Sequence, residues 1–141
     1  MSIEDMIQEI AETQFGGFSY CFEDWYDADA KLEKMTFPAI LLVMPLGGSV
    51  AYRNGKAYDT ENVGLCFLDK APRGAEGEDN KKIYTRMKAE GTRFLQAIND
   101  SGYFAPLQGE QPYDLIYEQL STIVSGVMYT LTLKQLIGEC L

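Results

Sequence analysis

Histidine is absent from this chain of 141 residues. Acid–base and nucleophilic catalysis most often recruit histidine, so its absence excludes Ser-His-Asp and Cys-His arrangements. Cysteine is scarce as well, and its three copies, Cys21, Cys66 and Cys140, are widely spaced. An odd number of cysteines without histidine fits neither a disulfide framework nor a zinc site. We therefore expect free thiols, and we predict that Cys66 lies in the core because its strand-like segment is apolar.

Basic residues are outnumbered, since 12 Lys and Arg stand against 21 Asp and Glu and give a formal net charge of -9. A surface of this sign repels phosphate backbones and anionic lipids. We therefore expect no sequence-specific nucleic-acid binding and no membrane partner. The same charge remains compatible with a surface past which DNA slides without adsorbing.

Long apolar runs and nucleotide motifs are also missing. The longest apolar run, residues 37–45, is far shorter than the roughly 20 residues that cross a bilayer. The first ten residues lack a basic segment followed by an apolar one, so we expect no secretory signal and synthesis in the cytosol. Neither G-x-x-x-x-G-K-[ST] nor G-x-G-x-x-G occurs, which leaves nucleotide binding unsupported.

The residues that are present predict one folded domain over 1–141. A hydrophobic fraction of 46% and a charged fraction of 23% are ordinary globular values. Ser2 and Asp5 form a capping-box pattern ahead of an amphipathic helix, and Asn54-Gly55 is a strong hairpin pattern. The first half of the chain predicts a helix at 3–13, strands at 18–22 and 39–44 with a loop at 24–35 between them, the Asn54-Gly55 hairpin and a strand at 63–68. The second half predicts an exposed loop at 69–80, a helix at 81–101, and a final hairpin from 113 to 134 with its turn at Ser125-Gly126.

Strands that are grouped, and do not alternate with helices, are typical of an α+β fold. We predict a mostly antiparallel sheet with an N-terminal amphipathic helix and one long helix packed on the sheet. Gly91 inside that long helix has two interpretations. It is either a tolerated glycine that costs about 1 kcal/mol or a point of close packing against a strand.

Two groups of acidic residues are candidate cation sites. Neither group has the ligand spacing of a calcium loop, so solvated loop charge is the preferred interpretation. A carboxylate-based metal enzyme at the first group stays as an alternative. The two groups are Glu23, Asp24, Asp27 and Asp29, and Glu76, Glu78 and Asp79.

One resemblance to a known family rests on two segments. The stretch Phe37-Pro38-Ala39-Ile40-Leu41-Leu42-Val43 is followed by a glycine-containing turn, a hairpin, and Asn62 to Leu68, ending in Leu68-Asp69-Lys70-Ala71. This arrangement resembles the phage tail terminator proteins, which carry an FPA-plus-aliphatic strand in that place. Those proteins are small and α+β, with an amphipathic first helix, a sheet, a long helix after the sheet's central hairpin and a terminal strand pair. The chain resembles them in that order along most of its length.

The resemblance implies a virion protein without catalysis or cofactor. Such a subunit forms a homohexameric ring that joins the tail tube to the head of a tailed phage or prophage, and it assembles in the cytoplasm of the bacterial host. Its partners are further copies of itself, the tail tube protein and a head-completion or neck protein, and DNA passes through the ring. The loop at 69–80 and the longer second helix depart from the shorter members, which leaves a neighbouring neck or head–tail joining role open.

The second hypothesis is a cytosolic, non-catalytic protein-binding adapter, such as an immunity or chaperone-like protein. Both hypotheses need an interface, and a closed ring needs patches on two faces of each subunit. Trp25 and Tyr26 lie in a polar segment and either anchor an interface or cover the edge of the core. The candidate interface residues are Trp25, Tyr26, Asn54, Gly55, Arg73, Glu76, Glu78 and Asp79.

Overall fold

The computed structural model describes residues 2–72, 74, 76–117 and 123–139. These residues form a five-stranded sheet with helices on both faces, so the α+β prediction is confirmed. The helices are α1 (Ile3–Gln14), α2 (Trp25–Leu32) and α3 (Gly77–Ser101), and the strands are β1 (Ser19–Glu23), β2 (Ala39–Arg53), β3 (Lys56–Lys70), β4 (Tyr113–Tyr117) and β5 (Val124–Glu139).

The sheet has the strand order β1-β2-β3-β5-β4. Three of its four strand pairings are antiparallel, and β1 pairs with β2 in parallel. Parallel neighbours need a crossover connection, and α2 lies in it. The loop predicted for residues 24–35 is therefore wrong. Ala28 and Leu32 are fully buried against the sheet, and Asp24 Oδ1 accepts a hydrogen bond from the Asp27 backbone N–H at 2.6 Å, which caps the helix.

The main core lies between the sheet and the pair α1 and α3. Its centre is Phe67 on β3, whose ring centroid lies 5.5 Å from that of Phe94 on α3 and 6.0 Å from that of Tyr129 on β5. Phe18, ahead of β1, approaches the same ring at 6.4 Å. All three pairs meet edge to face, the arrangement that aromatic quadrupoles favour. The long helix is thus fixed to the middle of the sheet, as predicted.

A second, smaller core lies on the opposite face, beneath α2. It contains Cys21 and Cys66, which are both buried and free. Burial raises the pKa of the Cys66 thiol, so the side chain stays protonated and packs as an apolar group. The prediction that Cys66 lies in the core is confirmed, whereas Cys140 lies outside the described residues.

Two points at which the predicted strands end lie within observed strands. β2 continues through Pro45, because the register shifts between Val43 and Gly47 and the ladder needs no donor there. β5 already begins at Val124, so the turn predicted at Ser125-Gly126 is wrong. Ser125 is fully buried, and its hydroxyl donates to Asn80 Oδ1 of α3. The hydrogen bond to Asn80 therefore satisfies the buried hydroxyl of Ser125 within a strand, although serine is a residue type that favours turns.

The Asn54-Gly55 hairpin is confirmed. Both residues have left-handed backbone angles, with φ of 53° at Asn54 and 76° at Gly55, which is the type I′ geometry that matches strand twist. The turn joins Arg53 directly to its register partner Lys56. A turn of two residues fixes which side chains of β2 and β3 share a face.

Gly91 marks close packing between α3 and β5. A Cβ at this position would lie 2.4 Å from Cε2 of Tyr129, and the Tyr129 hydroxyl donates to the Lys88 backbone carbonyl at 3.1 Å. The tyrosine ring is therefore held both by packing and by a hydrogen bond to the helix. Of the two interpretations of Gly91, close packing is the correct one.

Replacing Gly91 with alanine should destabilise the protein by about 1–3 kcal/mol through overpacking against Tyr129. Helix propensity alone would instead stabilise it by about 1 kcal/mol. Urea unfolding of Gly91→Ala measures the sign. The matched background is Tyr129→Val, in which Gly91→Ala should be neutral or stabilising because the ring is gone. A stabilising effect in the wild-type background would contradict the close-packing argument.

Candidate interaction surface

Three strands continue past the part of the sheet that the helices cover. β1 pairs with β2 only as far as Val43, and the last buried core residues beyond it are Val63 on β3 and Leu133 on β5. Residues 48–61 and 134–139 then form a three-stranded extension, which we call the arm. Nothing else among the described elements pairs with the outer edge of β2 along residues 47–53.

The arm carries exposed apolar side chains. Val50 is 53% exposed, Tyr52 71% and Leu136 48%, which are three of the five large exposed hydrophobic residues in the described part of the chain. Free strand edges are normally protected by charged residues, proline or bulges. In residues 47–53 the one charged residue is Arg53. Exposed apolar groups beside an edge with a single charged residue are typical of an interaction site.

The two faces of the arm differ in charge. Val50, Tyr52, Asp59 and Glu61 alternate onto the face that also carries α1 and α3, and we call this the acidic face. The opposite side is the basic face, and Glu110 lines a hollow at its base together with Thr60 and Lys134. The basic face consists of Arg53, Lys56, Tyr58, Lys134 and Leu136.

Tyr58 and Lys134 contact each other on the basic face. Lys134 Nζ lies 4.7 Å from the centroid of the Tyr58 ring, within the range of a cation–π contact. Neither Lys134 nor Arg53 forms an ion pair with a described carboxylate. Glu139 is opposite Lys56 in the strand register, and its side chain is outside the described part. Arg53 and Lys134 are thus cations without an ion-pair partner among the described residues.

On the acidic face, Glu61 meets the first turn of α1. Its Oε2 atom is buried without a hydrogen-bond donor. Burial, followed by the adjacent carboxyl of Glu4 and the charge of Asp59, raises the pKa of Glu61 to about 7. Two ionised carboxylates have no proton to share, so the pair is satisfied only when Glu61 binds a proton or when a cation approaches. Next to it, Gly48, Val50 and Asp59 border a shallow hollow of about 420 Å³.

The structure separates the interface residues predicted from sequence. Asn54 and Gly55 are exposed at the tip of the arm. Arg73 lies outside the described residues, and Trp25 and Tyr26 belong to α2 with side chains outside the described part. Because β3 is 15 residues long, its two ends are about 50 Å apart, and α3 begins after the end opposite to the tip.

The exposed loop predicted at 69–80 is shorter than expected. α3 begins at Gly77, so Glu78 and Asp79 belong to its first turn. Asp79 Oδ2 accepts a hydrogen bond from the Glu76 backbone N–H at 3.1 Å. These acids stabilise the helix N-terminus and its dipole.

The first acidic group is brought together only in part. Carboxylate oxygens of Glu23, Asp24 and Asp27 lie within 4.8 Å of one another, while the side chain of Asp29 is outside the described part. Asp24 caps α2, and Glu23 Oε2 pairs with Lys31 Nζ at 2.7 Å. The charge of Asp24 raises the pKa of Asp27. Helix capping by Asp24 and the ion pair of Glu23 with Lys31 explain the positions of two of the three carboxylates, and neither interaction requires a metal.

Sequence reasoning missed most of the arm. Val50, Tyr52, Glu61, Lys134 and Leu136 were not singled out. For the β2 and β3 residues a pattern was available, because the two-residue turn at Asn54-Gly55 fixes the register and a period of two then sorts their side chains onto faces. For β5 there was none, since its pairing with β3 depends on residues far apart in sequence.

Comparison with known proteins does not assign this chain to a family. No family model matches the chain, and a search of curated proteins found no significant match. None of the helices in the described ranges has the length and apolar character needed to span a membrane.

Glu61 should make stability depend on pH. A pKa raised from 4.5 to about 7 means that the folded state binds this proton more tightly than the unfolded state. The contribution is fully present below about pH 4.5, falls as the pH rises, and is lost above about pH 7. We expect Glu61→Gln to raise the free energy of unfolding at pH 8 by on the order of 1 kcal/mol, after allowance for partial solvent screening.

Urea titrations of both proteins at pH 4.5 and pH 8 measure this effect. At pH 4.5 the two proteins should differ by much less than at pH 8. Glu78→Gln, in the exposed first turn of α3, is the control and should show no such gain. An equal difference between wild type and Glu61→Gln at both pH values would contradict the expectation.

Proposed function

We propose that this chain is a self-assembling ring subunit of a tailed phage or prophage, acting as a tail terminator or neck protein that joins the tail tube to the head. The arm is the observation that carries the proposal. It extends a sheet beyond its helical cover, exposes Val50 and Tyr52 beside a free edge of β2, and exposes Leu136 on the opposite face of β5. A protein that functions alone gains nothing from such a surface, whereas a ring subunit needs one.

The order of the elements also supports the proposal. The amphipathic helix α1 comes first, a sheet with the central β2–β3 hairpin follows, the long helix α3 comes next, and the pair β4 and β5 ends the fold. This is the order that the resemblance to tail terminator proteins implies. The helix α2 is an addition that the sequence did not predict.

Charge is consistent with a ring that surrounds DNA. A net charge of -9 discourages adsorption of a polyanion to the walls of a channel. In the proposed role the partners are further copies of the chain, the tail tube protein and a head-completion or neck protein, and the mature location is the virion. A protein-binding adapter is the second candidate, in which the arm binds a different protein.

Light scattering after size exclusion, with negative-stain images of the eluted species, separates the two candidates. The ring proposal expects a mass near six times the 15.8 kDa of the chain and a particle with a central hole. A monomer or a closed dimer at all concentrations would contradict the ring and favour the adapter.

Removing the ring of Tyr52 should weaken assembly. Tyr52→Ala deletes the most exposed large apolar side chain among the described residues, and we expect the apparent dissociation constant to rise about 10-fold or more. Phe22→Ala is the control, because Phe22 is 37% exposed on β1, outside the arm. The control should assemble as the wild type does. Equal effects of the two substitutions would remove the arm from the interface.

A further inference from the structure

Among the described residues, the arm presents two cations without an ion-pair partner on one face and two carboxylates without one on the opposite face. Arg53 and Lys134 lie on the basic face, and Asp59 and Glu61 lie on the acidic face. Both faces belong to the same three strands, so they have the same width, about 10 Å between the outer strands. Each face also exposes apolar side chains, Val50 and Tyr52 on one and Leu136 on the other.

The acidic face lacks a cation. Glu61 Oε2 is shielded from solvent with no donor in reach, and the carboxyl of Glu4 lies beside it. No Lys or Arg of the described residues forms an ion pair with Glu61, Glu4 or Asp59. A carboxylate with one shielded, unpaired oxygen beside a second carboxyl is costly when both are ionised, and an ammonium or guanidinium group next to the pair would lower that cost.

Cations that would complement the acidic face are present on the basic face of the same chain. We propose that the acidic face of one copy binds the basic face of the arm of a second copy, with Arg53 and Lys134 of one subunit opposite Asp59 and Glu61 of the next. This contact rests on the self-assembly proposed above and specifies its surface.

The two surfaces differ, so the contact is head-to-tail. A contact of this kind propagates through successive copies and ends either in a closed ring or in an open filament. The apolar side chains supply burial, and the opposite charges set the orientation and reject a copy turned the wrong way.

Charge reversal tests the contact. We expect Arg53→Glu with Lys134→Glu to raise the apparent dissociation constant of assembly about 10- to 100-fold, because like charges then face each other. Asp59→Lys with Glu61→Lys should do the same. A chain carrying all four substitutions should recover assembly, since the charges are then exchanged between the faces. Circular dichroism and thermal unfolding establish that each variant is folded.

A milder set keeps the test valid if a reversal variant fails to fold. Arg53→Gln with Lys134→Gln, and Asp59→Asn with Glu61→Gln, neutralise each face without introducing repulsion. Each should weaken assembly less than the reversals do. Sedimentation of the wild type between low and high salt is the third measurement, and its assembly should weaken as salt screens the charges.

The possible outcomes distinguish the charged contact from the ring proposal. Rings that form equally well in every variant would overturn the charged contact and leave the ring proposal intact. Open filaments whose charge reversal is rescued in the fourfold variant would support the contact and contradict ring closure. A wild type that stays a monomer or a closed dimer overturns both. Loss in each reversal variant with recovery in the fourfold variant, on a background of rings, supports both.

Discussion

The packing of aromatic rings around Phe67 holds the two layers of this protein together. Phe67 belongs to the central strand β3, and Phe94 of the long helix and Tyr129 of β5 meet it edge to face. Gly91 lets α3 approach the same tyrosine closely. This contact fixes where the helical layer ends along the sheet. The strands are longer than that layer, so the length left over becomes the arm, and the surface that we propose for assembly is a direct result of where the core stops.

The sequence predicts those parts of the fold that depend on local chemistry. The capping box of Ser2 and Asp5, the Asn54-Gly55 turn and the buried Cys66 are each decided by a few neighbouring residues. The misses have tertiary causes. Ser125 is held inside a strand by Asn80, and Pro45 lies where the register of β2 shifts. The helix α2 is only eight residues long, too short for the helical spacing of Trp25, Ala28 and Leu32 to repeat, and missing it concealed the parallel pairing of β1 with β2.

The candidate surface was predicted less well than the fold. Asn54 and Gly55 lie at the end of the sheet that we propose for assembly, but Glu76, Glu78 and Asp79 belong to the start of α3 at the other end. Charge counted over the whole chain conceals the distribution that matters. A net charge of -9 suggests a uniformly acidic surface, yet the arm gathers Arg53 and Lys134 on one side and Asp59 and Glu61 on the other. That division follows from strand register and cannot be seen in composition.

The arm also has a place in the order of folding. Its outermost rung joins Lys56 to Glu139, the most distant partners in the β3–β5 ladder, whereas the rung at the other end joins Lys70 to Val124. Closing a longer loop costs more chain entropy, so we expect the β3–β5 ladder to zip outward from the core and β5 to join the β2–β3 hairpin of the arm last. Amide protons in the arm would then exchange faster than those around Phe67. An incompletely folded chain would lack the finished arm, and newly made subunits would therefore be kept apart until their cores had formed.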